Sequence, residues 1–106
     1  MKTKENFFQQ ISNEFCWEGS SSYSILSEDE EKIILNCSAN SICEHSGDIY
    51  GIEDNIESLM HKKEKIEGIT YEVVKTSYKT NILNRNEDYI NVHSSGEVHI
   101  KKTNNE

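Results

Sequence analysis

The side chains of this chain that could do chemistry are carboxylates, four histidines and three cysteines, and the carboxylates are grouped. Between Glu5 and His61 stand twelve acids and one cation, Lys32, which is a formal charge of −11 (one cation less twelve acids) in a chain of net charge −8. Two groups dominate. Glu28, Asp29, Glu30 and Glu31 are consecutive, and Asp48 is followed by Glu53, Asp54 and Glu57. Exposed neighbouring carboxylates repel by about a few tenths of a kcal/mol per pair. A hairpin connection does not need them, and an Asn-Gly turn would close it better. A field of this sign repels nucleic acid and anionic membranes and attracts basic protein surfaces or cations.

Each group has a plain structural reading as well. Residues 28–31 serve as a solvated, solubilising loop. Glu53, Asp54 and Glu57 fall in the first turns of an expected helix whose last turns hold Lys62, Lys63 and Lys65. The helix macrodipole rewards that polarity by roughly 0.3–1 kcal/mol per group. Against it, Glu53 and Glu57 are like charges at i,i+4, which a purely stabilising arrangement avoids.

Metal and nucleophile chemistry find less support. The one Asp-to-Gly run near the acids, Asp48-Ile49-Tyr50-Gly51, lacks the alternating ligands and the spacing of a calcium-binding loop. His93 and His99 are expected to face each other across a hairpin and offer two imidazoles, with no local third zinc ligand. Cys43-Glu44-His45 puts a thiol near an imidazole, but in an acidic stretch that disfavours a thiolate. The fingerprints of dinucleotide, P-loop, zinc-protease and serine-hydrolase sites are absent. No metal site, cofactor or catalytic residue is assigned.

These residues are positioned by an alternation of helical and strand patterns. Phe7, Phe8, Ile11 and Phe15 form one helical stripe over residues 4–17, with Thr3 as N-cap and Gly19 as a left-handed stop. Strands are expected over 22–27 and 32–38, with a short third strand at 41–44 if Asn40 turns the chain. A second helix is expected over 52–67, carrying Ile52, Ile56, Leu59, Met60 and Ile66 on one side and closed by Gly68. Beyond it lie a strand at 69–78, a connector or short strand at 81–84, and a hairpin of 88–94 with 98–102. A three-residue loop, Ser95-Gly96-Glu97, keeps the faces of that hairpin unmixed by pairing Val92 with Ile100. The expected fold is α+β: two amphipathic helices packed on one face of a mostly antiparallel sheet, in the order α-β-β-α-β-β-β. Residues 1–100 form a single domain, and 101–106 form a polar tail.

Composition narrows the class. Hydrophobic content is 34%, yet thirteen Ile against one Ala supply bulk for a thin core. Pro is absent and Arg occurs once, while Asn, Ile, Lys and Glu abound, the bias that AT-rich coding produces. Coding alone does not explain the shortage of Lys between residues 5 and 61. Three cysteines without CxxC spacing, and no apolar leader or long apolar run, point to a reduced, cytoplasmic protein.

The expected function is a small, non-enzymatic acidic antagonist. Glu28, Asp29, Glu30, Glu31, Asp48, Glu53, Asp54 and Glu57 would contact a basic surface on another protein, such as a nuclease or toxin. Phage counter-defence proteins and immunity proteins act in this way. One alternative is a small-molecule binder working as a homo-oligomer, with Trp17, Tyr23, Tyr50, Tyr71, Tyr78 and Tyr89 as candidate contacts. The other is an enzyme pairing His45, His93 or His99 with a carboxylate.

Overall fold

A computed structural model describes residues 3–104. The first helix, α1 (Lys4–Asn13), starts where the sequence places it: Asn6 N–H donates to Thr3 Oγ1 at 3.1 Å, and Asn6 Oδ1 accepts from Thr3 N–H at 3.3 Å. It ends four residues before the expected stop because β2 takes over the backbone that follows. Trp17 N–H donates to Ser41 Oγ at 2.8 Å, and Ile42 N–H donates to the carbonyls of Trp17 and Glu18. Glu18, not Gly19, carries the positive φ. Phe7, Phe8, Ile11 and Phe15 are all buried.

Strands β1 (Gly19–Glu28) and β2 (Lys32–Cys43) form an antiparallel hairpin, and β2 is one uninterrupted strand. Asn40 makes no turn. Odd-numbered residues from Ile33 to Cys43 are buried and their even-numbered neighbours lie on the open face, the alternation of a half-covered sheet. After α2 (Gly47–Glu57) come β3 (Lys63–Ile66), β4 (Ile69–Thr76), β5 (Lys79–Arg85) and the long β6 (Ile90–Asn104). The sheet order is β1-β2-β6-β4-β3, and β5 pairs with β6 beyond β4. All five pairings are antiparallel.

Several expectations are corrected. The molecule is a six-stranded sheet with two short helices, in the order α-β-β-α-β-β-β-β, and not a sheet with two helices packed on one face. Close backbone approach of a helix to strands is made by α1 against β1 and β2; α2 reaches the core through Ile52 and Ile56. The second helix stops at Glu57 because the chain after it joins the sheet. His61 N–H donates to Val73 O at 2.8 Å, Val73 N–H donates to Lys62 O at 3.0 Å, and Lys63–Ile66 pair with β4. Gly68 follows Glu67 at the tip of that hairpin, both with positive φ (82° and 51°), so it closes two strands and not a helix.

The expected hairpin around Ser95-Gly96-Glu97 is likewise absent, since β6 runs straight through these residues. Gly96 is small because the link from β4 to β5 crosses there: a Cβ would lie 1.8 Å from Ser77 O. Val92 pairs with Ser41 and Ile82, and Ile100 with Ile33 and Val73. Lys101–Asn104 of the expected tail are strand residues, whereas Asn105 and Glu106 lie outside the described residues.

Candidate functional site

The eight acidic candidates do not gather at one place. Residues 28–31 cap the hairpin at one end of β2, and Asp48 follows the other end. Eleven residue steps of β2 lie between those ends, about 36 Å at strand rise.

The hairpin group is largely accounted for by its own turn. Asp29 Oδ1 accepts from the N–H groups of Glu31 and Lys32 at 2.8 and 2.9 Å. These two backbone bonds hold its carboxyl below the usual value of 3.8. Glu28 Oε2 is paired with Lys102 Nζ at 3.3 Å and Lys4 Nζ at 3.8 Å. Glu30 and Glu31 remain exposed.

Asp48 also has a local task. Its Oδ2 accepts from Glu44 N–H at 2.9 Å, its Oδ1 lies 3.7 Å from His45 Nε2, and it sits in the first turn of α2. The helix dipole favours a carboxylate there.

Glu53, Asp54 and Glu57 are different. Because α2 ends at Glu57, Asp54 and Glu57 occupy its last turn, which contains no basic residue. Lys62 lies beyond the helix, and Lys63 and Lys65 are in β3. The dipole that was expected to favour these acids therefore opposes two of them. Among the described residues, none of the three is ion-paired. Two are instead held by hydroxyl donors: Thr80 Oγ1 donates to Glu53 Oε2 at 3.0 Å, and Tyr78 OH donates to Glu57 Oε1 at 2.7 Å. That bond to Glu57 is the main cause that pushes the Tyr78 phenol up to about 12. By sequence, Tyr78 is only a candidate contact for a small molecule. Its role as a clamp on Glu57 is invisible in the sequence, because the two lie 21 residues apart.

The other candidates are dispersed. His93 and His99 lie on one strand, not opposite each other; His93 Nδ1 is 3.0 Å from Asn40 Oδ1 and His99 Nε2 is 3.1 Å from Glu97 Oε1. Among the described residues, no group of three or more His, Cys, Asp or Glu is placed to hold a metal. Cys37 and Cys43 are buried, and burial raises both thiols, Cys37 to about 12. A recess of about 640 Å³ on the sheet is lined by Lys32, Val74, His99 and Lys101, among others, and by none of the six candidate aromatics. Of those aromatics, Tyr71 is buried and Tyr23 stacks edge-on against Phe8 with centroids 5.7 Å apart. Among the described residues, no helix is long and apolar enough to cross a membrane.

Comparison of the chain with protein-family models, with curated proteins and with solved structures finds no match in any of the three.

Proposed function

We propose that this protein is a non-enzymatic antagonist that docks the acidic flank of α2 onto a basic surface of another protein. The observation that carries this reading is the placement of Asp54 and Glu57 at the negative pole of α2. Glu53 stands one turn before Glu57, and no cation among the described residues neutralises any of the three. An opposed dipole costs roughly 0.3–1 kcal/mol per group, and an i,i+4 like-charge pair roughly 0.2–0.5 kcal/mol. The hydroxyl bonds to Glu53 and Glu57 offset part of that cost but leave the charge in place for a cationic partner. Hydroxyl bonds from Thr80 and Tyr78 fix two of the carboxylates without cancelling their charge, which pre-orders them for a partner.

The natural owner of a matching surface is a nucleic-acid-processing enzyme or toxin, whose basic groove ordinarily receives phosphates. Carboxylates on α2 would stand in their place, as in an immunity or phage counter-defence protein. Three free cysteines, two of them buried, suit a reducing cytoplasm.

The test separates the two acidic ends. In pull-down from cell lysate, Asp54→Lys combined with Glu57→Gln abolishes retention of the basic partner. Glu30→Lys with Glu31→Lys, at the far hairpin, leaves it largely intact. Loss through the hairpin pair alone would overturn the assignment to α2.

A further inference from the structure

The three free margins of the sheet are not alike. β3 is four residues long and three of them are charged. β5 begins and ends on Lys79 and Arg85, is broken by a bulge at Leu83, and has its start tied to α2 through Thr80. Both are the usual protections of a sheet edge against stray pairing. β1 has neither. It ends the strand order, and its first nine residues, Gly19 to Ser27, hold no charge in a chain that is 28% charged. Ile25 and Leu26 at its far end are 45% and 54% exposed.

The direction of its unused backbone groups follows from β2. Ile42 N–H donates to Glu18 O, so the even-numbered positions that continue this register turn their peptide groups toward β2. Antiparallel alternation then directs those of Gly19, Ser21, Tyr23 and Ile25 outward. The usable ladder is bounded on both sides: Glu18 has φ 49°, and a bulge breaks the register between Ile25 and Ser27.

We infer that β1 pairs antiparallel with β1 of a second copy, about a two-fold axis at Ser22. Turned on itself, this window is complementary in size. Gly19 would face Ile25, Ser20 face Ser24, Ser21 face Tyr23, and Ser22 face itself. On the covered side each large side chain meets a small one, and on the open side serine meets serine. A second copy is favoured over a foreign strand for that reason. Two molecules of net charge −8 repel each other, and a margin without charge keeps that penalty small. The outward groups at four positions on each chain supply the ladder, and Ile25 and Leu26 lose solvent at its two ends.

An edge seam of this length falls below the ~1,200 Å² of standard interfaces, so the dimer is weak and concentration-dependent. It is also independent of the reading of α2. Dimerisation should strengthen as salt screens the mutual repulsion, whereas docking of α2 on a cationic partner should weaken.

The experiment is sedimentation from low micromolar to near-millimolar protein, joined to cross-linking in a Cys16→Ser background. The wild type should move toward twice the 12.2 kDa chain mass. Ser22→Lys sets like charges face to face on the axis and should remain monomeric with an unchanged circular dichroism spectrum. Ser22→Cys should give a disulfide-linked dimer under mild oxidation, because a directly opposed non-hydrogen-bonded pair has its Cα atoms about 4.5 Å apart. Ser24→Cys, which faces Ser20, should cross-link far less. A wild type monomeric throughout, a dimer that survives Ser22→Lys, or equal cross-linking through positions 22 and 24 would overturn the inference.

Discussion

At the scale of single residues, the bond from Tyr78 to Glu57 is the contact most open to direct measurement. Because the carboxylate accepts from the neutral phenol, the folded state holds the proton more tightly than the unfolded chain does. The contribution is fully present below the ordinary tyrosine value of 10.0 and is lost as pH rises through about 12. Ultraviolet titration should therefore show one tyrosine ionising near 12, and Glu57→Gln should bring it down toward 10. An unchanged titration in that variant would show that Glu57 is not the cause. A second residue offers a stability test. Among the described residues, the buried Ser94 Oγ has no hydrogen-bond partner. Ser94→Ala removes that unmet group and should raise the unfolding free energy by about 1 kcal/mol in urea denaturation. Destabilisation would mean that the hydroxyl is satisfied after all. The types of the candidate residues were legible in the sequence, but their partners were not. Lys102 lies 74 residues from Glu28 and Thr80 lies 27 from Glu53, separations at which local pattern carries no information.

At the scale of elements, the pinch between β6 and the β4–β5 link has the sharpest consequence. Gly96→Ala would drive a methyl group to 1.8 Å from Ser77 O, against backbone and not a yielding side chain. It should lower stability by roughly 1–3 kcal/mol, the usual range for overpacking, as read from the denaturation midpoint. A neutral result would show that the link does not press on β6. The same glycine explains why the end of the chain was misread. Ser95-Gly96-Glu97 has the composition of a turn, and the reason for its glycine lies nineteen residues earlier in Ser77. Gly68 misleads in a related way, since a left-handed residue ends a helix and closes a tight hairpin equally well. The stripe of α1 and the alternation from Ile33 to Cys37 were readable because burial and apolar character coincide there. Past Cys37 the buried positions are Ala39, Ser41 and Cys43, too small or polar to continue the apolar signal, so one strand looked like two.

At the scale of the whole molecule, the domain is elongated, 55 × 24 × 19 Å, and its acids are divided along that length. Composition alone left open whether the acids share one face. The structure leaves one exposed acidic tip at Glu30 and Glu31, and one flank on α2 where charge is held against the helix dipole. The two proposed associations respond to salt in opposite directions, because one draws unlike charges together and the other brings like-charged copies together. Contact with a cationic partner should weaken between ~50 and ~300 mM as screening shortens to less than a nanometre. Self-association along β1 should gain over the same range.

The most direct test of the central claim is capture of basic proteins on immobilised wild type and on the Glu53→Gln/Asp54→Asn/Glu57→Gln variant, at both salt concentrations. Wild type should hold a basic protein at low salt and release it at high salt, and the correctly folded variant should not hold it at all. Equal retention by the two proteins, retention indifferent to salt, or none by either would contradict the account.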